Sequence, residues 1–96
     1  MVNKKTVTKK KWTFYENAIC CYVYKEYFII NKSIDLKGAI DKIDKIFRNS
    51  IPRTSIKQKM QNIKEIMNSK GLKDTFPMTS RPHYSKDNKE AFDIII

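Results

Sequence analysis

The sequence predicts an all-α fold, a small bundle of three to four helices, and three observations predict it. Thr13-x-x-Glu16 and Ser55-x-x-Gln58 each have the spacing of a capping box, where two side chains satisfy each other's backbone N–H groups at a helix start. Apolar residues between Tyr15 and Met67 recur at three- and four-residue intervals, the period of a helix with one buried face. Pro52 and Gly71 stand where the periodic runs break.

Residues 1–11 are polar, lysine-rich and without apolar periodicity, so they read as a disordered basic arm ahead of a single helical domain over 12–96. The first helix opens at Thr13, and Tyr15, Ala18, Ile19, Tyr22, Ile29 and Ile30 follow at helical spacing. Tyr22 to Ile30 is rich in β-branched and aromatic residues, which suits a strand, but the cap and the length of the run favour helix. Trp12 reads as a core anchor, and Tyr22, Tyr24, Tyr27 and Phe28 are too many for one core face, so one or two should be exposed. Asn31-Lys32-Ser33 breaks the pattern. Ser33 or Asp35 then caps a second helix with the stripe Leu36, Ala39, Ile40, Ile43 and Phe47. Pro52 cannot continue that helix and pushes Ile51 out of the α region. Ser55 caps a third helix, whose Ile56, Met60, Ile63 and Met67 form one narrow core-facing stripe, and Gly71 suits its left-handed C-terminal cap. Residues 72–84 read as a loop. Ser85 to Ile96 reads as a short last helix, with the terminal isoleucines packed onto the domain.

At 96 residues the chain supports one domain, since domains usually run about 100–150 residues. Two glycines make a Gly-rich phosphate cradle untenable. Cys20 and Cys21 are sequence neighbours, so they cannot staple distant segments or complete a four-ligand zinc site, and a reducing compartment is expected. The lone His83 has no Cys, Asp or Ser constellation around it and reads as a surface or phosphate-contact residue. No apolar run approaches the roughly 18–20 residues that cross a bilayer. The expectation is a soluble cytoplasmic protein with no membrane partner, no cofactor, no metal and no enzymatic activity.

Charge is informative by location. The chain carries +10; residues 1–11 hold +5, residues 12–47 sum to zero, residues 48–73 hold +6 and residues 74–96 hold −1. An excess gathered into a tail and one internal segment suits a polyanion, because each neutralised phosphate releases counterions. The +6 block coincides with the third helix. Opposite its apolar stripe lie Lys57, Gln58, Gln61, Lys64, Glu65 and Asn68, lysines for phosphates and amides for the donor–acceptor edge of adenine. Arg53 and Thr54 sit just ahead of the helix, where the positive end of its dipole also favours phosphate. A helix, a short Pro-containing turn and a basic, amide-rich helix is the layout of a helix-turn-helix reader. Lys9, Lys10 and Lys11 belong to the arm that would follow the backbone or an adjacent minor groove, and His83 lies in a basic loop.

The run Pro52-Arg53-Thr54-Ser55-Ile56-Lys57-Gln58-Lys59-Met60-Gln61-Asn62-Ile63 is similar to the pattern R-[ST]-x-x-S-I-x-x-K-x-x-N-I, with a shorter Arg-to-Ser spacing here. That pattern belongs to small helical domains at the N-terminus of HNH-type and other restriction-like nucleases. Trp12-Thr13, Glu16-Asn17, Cys20, Cys21 and Tyr24 resemble the first helix of the same domains, and Gly71-Leu72, Ser85 and Phe92 follow their order. The resemblance implies a DNA-recognition module of helix-turn-helix type, with Ser55 capping and with Lys59 and Asn62 at matched positions, Asn62 either reading a base or bonding backbone. The nuclease half has no counterpart in these residues, which suggests a stand-alone phage or mobile-element protein. The leading expectation is a non-enzymatic module for duplex DNA, a dimer if its target is palindromic. The alternative is a phage anti-defence (anti-CRISPR-like) inhibitor or adaptor that binds a nucleoprotein effector.

Overall fold

The computed structural model describes residues 11–96, so the expectations for the arm before Lys11, Lys9 and Lys10 included, lie outside the described residues. Those residues form α1 (Phe14–Tyr24), which runs on as a π-helical turn (Lys25–Ile30), then α2 (Leu36–Ile46), α3 (Arg53–Ser69) and α4 (Lys86–Ile95). The fold of the described residues is all-α.

The expected capping box starts α1. Glu16 N–H donates to Thr13 Oγ1 at 3.1 Å, and Thr13 N–H donates to Glu16 Oε1 at 2.9 Å. Cys20, Cys21, Val23 and Tyr24 line the buried face of the helix. The strand-like composition after Tyr22 is resolved as helix with a longer turn: Asn31 N–H reaches back to Glu26 O at 3.0 Å, a five-residue step. Phe28 at the end of that turn is fully buried against Tyr24 and Phe76, with ring centroids 5.3 and 5.2 Å away. Its carbonyl, left over at the helix end, accepts from Thr75 N–H at 2.9 Å and from Thr75 Oγ1. The aromatic count works out as expected, with Tyr22 exposed.

Both candidates before α2 are used. Ser33 Oγ accepts from Asp35 N–H, and Asp35 is the cap, accepting from Gly38 N–H at 2.8 Å. Gly38 permits that approach, since a Cβ there would lie 2.2 Å from Asp35 Oδ2. An ion pair from Lys42 to Glu26 at one end, and the Trp12–Phe47 ring contact at the other, run α2 antiparallel to α1. Trp12 is half-buried there, an anchor at the edge of the core.

α3 begins three residues earlier than a Ser55 cap would place it. Pro52, with φ −56° and no N–H to satisfy, ends the turn, and its carbonyl accepts from Ser55 N–H at 3.0 Å and Ile56 N–H at 3.1 Å. Ser55 is therefore inside the first turn and makes no capping bond, and Arg53 and Thr54 lie within the helix, not ahead of it. Ile56, Met60, Ile63 and Met67 are buried as the stripe predicts, joined by Ile66 and by Lys59. The C-terminus closes through Gly71 at φ 67°, with Leu72 N–H on Met67 O and Gly71 N–H on Asn68 O, a Schellman motif.

Ser85 caps α4 by accepting from Asn88 N–H at 3.1 Å. Ala91 and Phe92 are buried and Ile95 and Ile96 pack on the core, but Ile94 is 71% exposed, so the terminal triplet only partly packs. Lys25 Nζ donates to Ile95 O at 2.9 Å, which joins the end of α4 to the end of α1.

Lys32, at φ 51°, ends the π turn in the left-handed region that costs a residue with a Cβ about 1–2 kcal/mol. Lys32→Gly is expected to stabilise the fold by about 0.5–1 kcal/mol after the extra freedom of the unfolded glycine is subtracted. Gly71→Ala is expected to cost about 1 kcal/mol. Denaturant midpoints at unchanged m-value check both signs.

Candidate nucleic-acid interface

The polar side of α3 is largely committed to the rest of the fold. Lys64 Nζ donates to Asp74 Oδ1 at 2.9 Å; the Asp74 carboxylate is fully buried and the Lys64 side chain is 21% exposed. The other Asp74 oxygen accepts from Tyr24 Oη at 2.8 Å, and Phe76 N–H donates to Oδ1 at 2.9 Å. Burial and the neighbouring Asp74 charge push the Tyr24 hydroxyl well above the usual phenol range. Lys64 is thus half of a structural ion pair and not an open phosphate ligand.

Gln61 and Asn62 hold a loop. Gln61 Nε2 donates to Thr79 O at 3.1 Å, and Gln61 O accepts from Arg81 N–H at 3.1 Å. Asn62 Nδ2 donates to Arg81 O at 2.6 Å and Pro82 O at 3.3 Å. Of the two roles open to Asn62, the structure gives it the backbone one, on the 81–82 strap. The Gln61 amide, expected to face a base edge, is spent the same way.

Arg53 bridges two carboxylates of α2, with Nη2 at 2.5 Å from Asp41 Oδ1 and Nη1 at 3.3 Å from Asp44 Oδ2. Hydrogen bonds from Lys37 and Arg53 hold Asp41 below the ordinary carboxylate range. Lys70, in the same basic block, pairs with Asp93 at 3.3 Å. Lys59 is buried at 6% exposure with Nζ 4.8 Å above the Trp12 ring.

Thr54 and Gln58 are exposed, and Lys57 is half-buried with no acid beside it. Lys57 and Gln58 lie one turn before Gln61 and Asn62, the residues that hold the 79–82 backbone against the middle of α3, and His83 follows that strap and is exposed. His83 sits at φ 68°, a left-handed residue that turns the chain toward the Ser85 cap of α4. Arg81, and Lys86 in the first turn of α4, carry no ion pair, and the exposed Lys11 precedes α1. The geometry leaves Thr54, Gln58 and His83 exposed and Lys57 half-buried, sets Arg53, Gln61 and Lys64 into internal contacts, and leaves exposed Arg81 and Lys86, which the sequence reading had not singled out. Their signal lay in the sequence only as basic residues of the 81–86 segment; the strap that positions them is non-local.

Among the described residues no three His, Cys, Asp or Glu side chains are placed to share a metal ion. Cys20 and Cys21 are buried free thiols, and burial pushes Cys21 up to about 12 and Cys20 higher still. No family model, curated protein or solved structure matches the chain.

Asp74→Ala would leave the Lys64 ammonium and the Tyr24 hydroxyl without their acceptor and is expected to cost about 3 kcal/mol. Tyr24→Phe removes one hydrogen bond to a charged group and is expected to cost about 1.5 kcal/mol. Equilibrium denaturation of the two variants beside the parent checks the order.

Proposed function

We propose that the protein is a non-enzymatic module that binds duplex DNA through the first half of α3 and the loop strapped against it. The supporting observation is the anchoring of the 79–82 backbone by Gln61 and Asn62, one turn beyond Lys57 and Gln58, which ties the segment carrying Arg81 and His83 to α3. In this reading α2, the turn after it and α3 serve as a helix-turn-helix frame, as the resemblance to nuclease-associated recognition domains implies. Lys57, Arg81 and Lys86 meet phosphates, Gln58 and Thr54 face the groove, and the open N–H groups of α3's first turn, which no side chain caps, add a further phosphate contact. Arg53 reaches DNA only by exchanging its α2 carboxylates for phosphate, which is feasible for so exposed a pair, worth about 0–1 kcal/mol. Lys64 does not take part.

A second reading has its own observation. Tyr22, Ile30 and Ile94 are 57%, 63% and 71% exposed around a cleft of about 420 Å³ where the π turn meets the end of α4. Such a surface fits an inhibitor that docks on the protein part of a nucleoprotein effector.

Binding to a mixed-sequence duplex across a salt series tests the first reading. Lys57→Ala and Arg81→Ala are each expected to flatten the slope of log K against log salt by about 0.9. Lys32→Ala, at the far end of the α1–π helix, is expected to leave it unchanged. No affinity at low salt, combined with nuclease-resistant capture of an effector that Tyr22→Asp abolishes, would establish the second reading instead.

A further inference from the structure

α1 is apolar around its whole circumference. Apart from Glu16 and Asn17, every side chain from Phe14 to Tyr24 is aromatic, aliphatic or a thiol. Such a helix is buried on all sides once its partners are complete. Here α2, α3 and α4 pack against α1, and Cys20, Cys21, Val23 and Tyr24 face the core. Tyr15, at 80% exposure, and Tyr22 stay outside, seven residues and two turns apart, with the half-buried Ala18 and Ile19 between them. The π turn extends this row. At 100° per residue Ile30, eight positions beyond Tyr22, would lie about 80° off it. A π turn closes i→i+5 and takes in one extra residue, so those eight positions cover two turns, as seven do within α1. Tyr22 and Ile30 accordingly line one cleft, which Ile94 of α4 completes.

We infer that this row is the contact surface between two copies of the chain, packed antiparallel about a two-fold axis at Tyr22. Tyr15 and Ile30 stand seven and eight positions either side of Tyr22, so the axis sets Tyr22 against its own copy and the Tyr15 end of one chain against the Ile30 end of the other. The cleft between Ile30 and Ile94 then receives Tyr15 of the second copy, the most exposed ring of the row. A protruding ring at one end and a cleft at the other is the self-complementarity that a two-fold contact requires. Charge selects the same occupant. Residues 14–30 hold only Lys25, Glu16 and Glu26, a net −1 in a chain of +10, so two such cations meet here with little repulsion. Lys25 donates to Ile95 O and Glu26 takes Lys42, so both charges at the cleft are already answered within the chain. An apolar, charge-depleted surface is the composition of homodimer contacts. Tyr15, Tyr22, Ile30 and Ile94 together expose on the order of 500 Å², given about 150–250 Å² for a whole aromatic side chain. With the flanking atoms, a row about 22 Å long approaches the roughly 800 Å² per partner of a stable complex. Nothing in this contact depends on DNA binding.

Sedimentation of the full chain is measured from micromolar to submillimolar concentration, in high salt after nuclease treatment so that no nucleic acid bridges two copies. A concentration-dependent rise from 11.4 kDa to twice that mass is expected. Tyr22→Asp sets two carboxylates against each other at the axis and is expected to weaken the dimer at least about a hundredfold, with the circular dichroism of the helices unchanged. Under mild oxidation Tyr22→Cys is expected to link two copies through a disulfide, while Lys45→Cys, exposed in the last turn of α2, is not. Cys20 and Cys21 are buried and do not compete. Should Tyr22→Asp not fold, the comparison of the two cysteine variants decides. A monomer throughout the series, whether or not this face captures an effector, would overturn the contact, as would a dimer that Tyr22→Asp leaves intact or equal linking of both cysteine variants.

Discussion

The constraint on which the architecture depends is the buried carboxylate of Asp74. Taking an ion out of water costs several kcal/mol even after relaxation, and only good hydrogen bonds recover it. Asp74 collects three, from Tyr24 of α1, from Lys64 of α3 and from the Phe76 amide of its own loop. Each hydrogen bond to a charged group is worth about 1.5–3 kcal/mol, so three are enough to offset burial where one is not. The same contact determines the path of the loop. With Asp74, Thr75 and Phe76 fixed against α1 and its π turn, the chain leaves toward Gln61 and Asn62, which hold the 79–82 backbone against the middle of α3.

Formal charge is a poor guide to where this surface lies. The block from Arg48 to Lys73 holds +6, but Arg53, Lys64 and Lys70 are each claimed by acids from other segments, and Lys59 is enclosed. Residues 12–47 sum to zero, yet part of their acidity neutralises α3 while Lys45 and Lys32 stay open. The pairs differ in kind. Arg53 with Asp41 and Asp44 is exposed and screened, so a phosphate can compete for it; Lys64 pairs with a fully buried Asp74 carboxylate that also holds Tyr24 and Phe76, and releasing it would leave that carboxylate short of a donor. The face that remains is smaller than a full recognition helix and is built from two segments.

What the sequence made legible was local. The Thr13 box, the Ile56–Met60–Ile63–Met67 stripe and the Gly71 cap all rest on partners three to six residues apart, and each is found where the spacing puts it. Ser55 failed although its signal was local as well, because Pro52 three residues upstream competes for the same helix start and closes it with a backbone carbonyl. The π turn replaced a strand-versus-helix ambiguity with a third outcome, set by the packing of Phe28 against Phe76, 48 positions along the chain. The commitments of Gln61, Asn62 and Lys64 to residues 10 to 20 positions away have no periodic signature at all. A polar side chain on the solvent side of a helical wheel looks open whether or not a loop covers it.

Asp74 and Lys59 are opposite solutions to the same problem, and the contrast carries information. The buried anion has every donor it needs, supplied by three segments of the chain, and is a structural element. The buried cation has an aromatic face and two thiols that burial holds protonated, and elsewhere in the interior Asn17 Oδ1 and both amide atoms of Asn88 lack a hydrogen-bond partner. Apolar substitutes of similar volume at Asn17, Lys59 and Asn88 would pack at least as well and remove the desolvation penalty, since well-packed hydrophobic replacements of buried polar groups are often neutral or stabilising by about 1–4 kcal/mol. Stability alone therefore does not account for a lysine and two asparagines at these buried positions, whereas Asp74 is accounted for by its three donors.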